Sequence, residues 1–101
     1  MGATTTVVYP QGVNFNKDYY KSTHMPLVQE KWAKFGLKSW RVIYFDNDAP
    51  YAVQASLEWG SLQDFQNAAS SPEAKEVLGD VPNFADKDPV IISGDVAFSS
   101  S

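Results

Sequence analysis

The nine residues Tyr51 to Trp59 constrain the fold more than any other stretch of the chain. Val53, Ala55, Leu57 and Trp59 fall on one side of an extended segment; Gln54, Ser56 and Glu58 fall on the other. A strand with one apolar and one polar face belongs in an antiparallel sheet that packs a core on one side only. The segment before it, Leu37 to Phe45, carries Trp40, Val42, Ile43, Tyr44 and Phe45 and reads as a second strand. Between them Asp46-Asn47-Asp48-Ala49-Pro50 has the composition of a turn, so the two strands form a hairpin.

The flanks complete the order of elements. Thr4 to Tyr9 is rich in β-branched residues and stops at Pro10 and Gly12, a first strand and a turn. Asn16 is placed to cap a helix from Lys17, with Phe15 before it and Tyr20 after it in staple geometry. Pro26 disfavours helical geometry at Met25, so this helix is expected to break or kink just after His24, with a helix from Pro26 to Phe35 and Gly36 as its stop. Ser61 and Asp64 open a further helix to Ala69. Ser71-Pro72-Glu73 opens another, closed by Gly79. A loop, Val81 to Asp86, leads to a last strand from Pro89 to Val96 and a tail of three serines, 99–101. The order β-α-β-β-α-β, with each helix in two pieces, predicts a single α+β ferredoxin-like domain over residues 1–101, a four-stranded antiparallel sheet with helices on one face.

Composition excludes several functions. Twelve acidic and eight basic residues leave a net charge of −4, and the lysines are scattered singly, so no basic stripe for nucleic acid exists. No apolar run approaches a membrane span, and the first residues lack the features of a secretory signal, which makes a cytoplasmic protein the expectation. With no cysteine and one histidine, disulfides, thiolate chemistry and a structural metal site are not expected. Aromatic residues make up 14% of the chain, more than one small core can hide, which points to a homodimer.

His24 is the one side chain whose ordinary pKa lies near neutrality, so proton-transfer chemistry is expected to pass through it. In a helix from Lys17, Tyr20 and His24 share a face at i and i+4, and Tyr19 diverges to a packing or dimer role. A histidine at a helix C-terminus would be favoured in its charged form, whereas burial would favour the neutral form. Arg41 and Glu58 are expected to pair across the hairpin. Glu73, Glu76, Asp80, Asp86 and Asp88 are expected on the solvated surface.

The run Phe15-x-x-Asp18-Tyr19-Tyr20-x-x-x-His24-Met25-Pro26-Leu27, with Trp32, Gly36-Leu37-Lys38-Ser39-Trp40 and Val81-Pro82-Asn83-Phe84, resembles the EthD family, named from ethyl tert-butyl ether degradation, and its short fungal-type members in particular. The resemblance covers nearly the whole chain. It implies a dimeric α+β barrel, in which the sheets of two ferredoxin-like subunits face each other, with an apolar cavity between helices and sheet in each. Activities across that superfamily include cofactor-free oxygenation of polycyclic phenols, polyketide cyclisation, dehydration or decarboxylation, lactone isomerisation, and haem degradation. Members of the family are often grouped with the oxidoreductases.

On this basis the expected site has His24 as general acid or base and Tyr20 as its hydrogen-bond partner. Trp32, Trp40 and Phe84 would form apolar walls, with Asn83 at the mouth. The expected function is cofactor-independent acid–base chemistry on an aromatic or polyketide-like molecule. The alternatives are a non-catalytic protein that binds a small apolar ligand or serves a pathway enzyme, and a haem protein with His24 as axial ligand.

Overall fold

A computed structural model describes residues 2–100. Met1 and Ser101, the last of the expected serine tail, lie outside the described residues. Four strands, β1 (Ala3–Pro10), β2 (Leu37–Tyr44), β3 (Tyr51–Trp59) and β4 (Val90–Asp95), form an antiparallel sheet in the order β2-β3-β1-β4. The helices are α1 (Lys17–Tyr19), α2 (Met25–Trp32), α3 (Leu62–Ala69) and α4 (Glu73–Gly79). The architecture is the ferredoxin-like α+β fold that the alternation in β3 foreshadows.

The faces of the sheet follow the strand pattern. Thr5 lies opposite Leu57 and Val7 opposite Ala55, and Trp40 and Val42 face the same two β3 residues from the other side. This inner face buries Tyr9, Val53, Leu57 and Trp59 against Met25, Val28 and Trp32 of α2, Ala68 of α3, and Ala74 and Val77 of α4. The Trp59 indole N–H is satisfied within the core by Thr5 Oγ1 at 3.1 Å. On the outer face Glu58 accepts from Thr4 Oγ1 at 2.8 Å, so the expected Arg41–Glu58 ion pair does not form; the register sets Arg41 opposite Ser56.

The helix ends are held largely as expected. Asn16 Oδ1 accepts the Tyr19 N–H at 3.0 Å, and Ser61 Oγ accepts the Asp64 N–H at 3.1 Å. Gly36 closes the first helical run at φ 105°, a left-handed geometry that glycine adopts without a Cβ penalty. Its place is tight as well, since the Asp64 carboxylate occupies the space a Cβ would need. Ser71 departs from the pattern: its hydroxyl turns back to the Ala68 carbonyl rather than capping α4.

Of the expected break or kink after His24, the break does not occur. Tyr20–His24 forms a π-helical turn that joins α1 to α2 in one continuous helical run. The Met25 N–H bonds to Tyr20 O, five residues back, and Met25 itself stays helical at φ −65° and ψ −38°. A proline in a regular helix clashes with the carbonyl four residues earlier and lacks an N–H to offer it. The wider turn absorbs both defects, so Pro26 enters the first turn of α2 without breaking the helix. His24 therefore sits mid-helix, and the expected C-terminal dipole does not act on it. Among the described residues, no helix is long and apolar enough to cross a membrane.

Candidate functional site

The π-helical turn sets the geometry of His24. The residue is 5% exposed, and the Tyr20 ring stacks on its imidazole with centroids 5.2 Å apart and planes 17° apart. Phe84 closes from another side with centroids at 4.4 Å. Tyr20 thus meets His24 through its ring face, not as the expected hydrogen-bond partner. That partner is Asp80, whose Oδ2 lies 2.9 Å from His24 Nδ1.

Asp80, expected on the solvated surface, is buried and is the hub of the site. The Tyr19 hydroxyl donates to its Oδ1 at 2.6 Å, and Asn83 Nδ2 donates to the same oxygen at 2.9 Å. Burial alone would raise the Asp80 pKa, but the bonds from Tyr19, Asn83 and His24 together hold it below its ordinary range. Asp80 is therefore an anion and can only accept, so Nδ1 of His24 carries the hydrogen and Nε2 is left with its lone pair. Burial lowers the pKa of His24 against the opposing pull of Asp80, so the imidazole is neutral near pH 7. The arrangement is that of a base with a carboxylate behind it.

Tyr19 packs against the core and stacks on Phe84, as its expected packing role has it, and its hydroxyl adds a polar role at Asp80. Asn83 bonds Asp80 within its loop and does not line the cavity onto which His24 opens. The other acids fare differently. Glu76 pairs with Lys31 and Glu73 with Lys34, both at 3.0 Å, clipping α4 to the helical run, while Asp86 stays exposed and binds Asn14.

His24 and Tyr20 open onto a cavity of about 110 Å³ between the helices and the inner face of the sheet. Its walls are apolar, from Val7, Leu57, Val28 and Val77, and Trp32 lies in them as expected. Trp40 and Phe84 do not line it: Trp40 faces a separate hollow beside β2, and Phe84 packs behind His24 among Tyr9, Phe15 and Tyr20. Tyr9, read only as part of a strand, is a wall residue. Burial pushes the phenols of Tyr9 and Tyr20 well above their ordinary range, so both remain protonated donors at neutral pH. No group of three or more potential metal ligands occurs among the described residues. A tetrapyrrole is several times larger than the cavity, so the walls as they stand do not fit a haem on His24.

Comparison with known proteins agrees with this fold. The EthD domain model matches residues 14–88, which include Tyr19, Tyr20, His24, Asp80 and Asn83. No curated protein matches the sequence. Among solved structures, an EthD-like protein of Ralstonia eutropha JMP134 is similar at 25% identity, with a TM-score of 0.82 over 99% of this chain and 96% of that one. SnoaB of Streptomyces nogalater, a cofactor-independent oxygenase, shares the fold at 10% identity with a TM-score of 0.73, covering 98% of this chain and 96% of that one. A dimeric ferredoxin-like protein of Thermobifida fusca YX does so at 13% identity with a TM-score of 0.65, covering 95% and 92%. With three quarters of its length matched by one family model and its fold shared end to end, the chain belongs to the EthD domain family.

Proposed function

We propose that this protein is a cofactor-independent acid–base catalyst acting on an aromatic or polyketide-like molecule, with His24 as the base. The observation that carries the reading is the 2.9 Å bond from His24 Nδ1 to the buried Asp80, which leaves Nε2 of a neutral imidazole for a ligand in an apolar cavity. In the first step Nε2 takes a proton from an activated carbon or a phenolic hydroxyl, and the electron pair moves onto the substrate oxygen. Asp80 stabilises the imidazolium that forms, and the protonated Tyr20 hydroxyl donates to the new oxyanion. Dehydration, decarboxylation and cyclisation can each follow from such an anion, and oxygenation can follow when dioxygen is the co-substrate that takes up its electrons. The cofactor-free oxygenase chemistry of SnoaB, which shares the fold, supports this family of reactions.

We also infer that the working form is a homodimer, as the dimeric state of the Thermobifida fusca neighbour supports, and that its contact is the outer face of the sheet.

Proton exchange tests the catalytic reading without knowledge of the full reaction. With 2-tetralone in deuterium oxide, the wild-type protein should accelerate loss of the α-proton NMR signal, by about 10²- to 10⁴-fold if general base catalysis operates. His24→Ala should remove the acceleration while keeping the circular dichroism of the folded chain. Full exchange activity in His24→Ala would overturn the assignment of the base. A wild-type protein with no acceleration would favour a binding role.

A further inference from the structure

The cavity at His24 is too small for the substrates the proposed chemistry implies. At about 110 Å³ it is of the order of the roughly 150 Å³ engineered cavity that takes a single benzene ring, so it seats one ring and no more. A second hollow of about 140 Å³ lies beside it, lined by Tyr20, Lys21, Met25, Trp40, Val42 and Tyr44. Tyr20 and Met25 line both spaces and are therefore the wall between them. Joined, the two approach the roughly 300 Å³ at which small-molecule sites begin.

The two wall residues are not equally fixed. The Tyr20 ring is stacked on His24 and held edge-on by Phe15 at 4.7 Å and Tyr9 at 6.4 Å, with Phe84 tilted against it at 4.8 Å. Met25 is buried as well, but its unbranched side chain has three rotatable bonds, so of the two it is the one whose rotamer a ligand can shift. We propose that the two hollows are one binding site, divided by Met25, and that the site takes a flat molecule of at least two fused rings. This rests on the reading of the cavity as the substrate site of an acid–base catalyst. Its oxygen-bearing ring sits at His24, and its far ring passes Met25 into the space between Trp40 and Val42. The Trp40 indole N–H is already committed to Gln29 Oε1 at 2.9 Å, so the far chamber offers the ligand apolar surface and selects an unsubstituted ring.

Fluorine NMR titration with 4-fluorophenol and 6-fluoro-2-naphthol tests this on the full chain. Val42→Phe fills the far chamber from the sheet side and should weaken the naphthol, by about 10- to 200-fold as changes in pocket volume do, while leaving the phenol within about twofold. Met25→Ala removes the partition and should tighten the naphthol relative to the phenol. Because Met25→Ala truncates a core residue and can fail to fold, Val42→Phe is the deciding variant, with circular dichroism confirming its fold. Binding of both probes with no loss of naphthol affinity in Val42→Phe would overturn the joined site and leave the acid–base reading standing. Binding of neither probe to the wild-type chain would overturn both. Probe binding as expected, with no proton exchange on 2-tetralone, would support the joined site and count against the catalytic reading alone.

Discussion

At the scale of single residues, the behaviour of the protein with pH rests on His24, the only histidine in the chain. Burial lowers its pKa from the ordinary 6.5, so below that value the unfolded chain takes up a proton that the folded chain resists. Stability is therefore fully present above about pH 6.5 and falls as the pH drops towards the folded pKa. The depressed pKa of Asp80 acts in the same direction at lower pH, below its ordinary 3.8. Melting curves between pH 5 and 7.5 should show this acid-side decline in the wild-type chain and lose it in His24→Phe. A wild-type melting temperature that rises on acidification would refute the assignment of a neutral buried imidazole. Asp80→Asn tests the other half of the pair. An amide in that place can donate to Nδ1 and shift the hydrogen to Nε2, the wrong tautomer for a base. Loss of about 10⁴-fold in rate accompanies the same exchange in a serine protease triad. Proton exchange in Asp80→Asn should fall by about 10²- to 10⁴-fold on that analogy, and unchanged exchange would show that Asp80 has no positioning role.

At the scale of elements, the helical run from Lys17 to Trp32 places Tyr19, Tyr20 and His24 together, and its entry is secured by Asn16. Asn16→Ala removes the acceptor for the Tyr19 N–H and should cost about 1 kcal/mol. For a domain of this size that corresponds to roughly 4–8 °C in melting temperature, readable by calorimetry; an unchanged melting point would mean the cap is dispensable. The cap was legible because an Asn before a charged and aromatic turn has a local cause. So were the strands, whose period is written into every second residue of β3. The π-helical turn was not, because Pro26 signals a break to any reading that counts residues in regular turns, and the wider turn is an answer drawn from tertiary packing. Asp80 escaped notice for a related reason. It lies 56 positions from His24, in an acidic segment whose other members are mostly exposed, and nothing local distinguishes the one that the fold turns inward. The polar role of Tyr19 is hidden with it, since without a buried acceptor its hydroxyl has no evident purpose.

At the scale of the whole molecule, the sheet leaves one face uncovered. Thr5 and Val7 point into the core, so Thr6 and its β4 partner Ile92 point away from it, as do Val8 and Val90. Ile92 is 61% exposed and Val90 47%, large apolar side chains side by side on the strand at the sheet's edge. A solvated sheet face would carry polar residues there, as β3 does with Gln54 and Glu58. The apolar pair is instead what a two-fold contact requires, because each copy presents the same patch to the other. Sedimentation equilibrium of the wild-type chain should therefore give twice the 11.2 kDa subunit mass. Ile92→Glu places a charge on that apolar patch, where two copies related by a two-fold axis would bring like charges together, so it should shift the protein to monomer. The cavity lies on the opposite side of the sheet, so 4-fluorophenol binding should persist in the variant. A wild-type chain that sediments as a monomer at micromolar concentration would refute the dimer. A dimer untouched by Ile92→Glu would move the contact off this face.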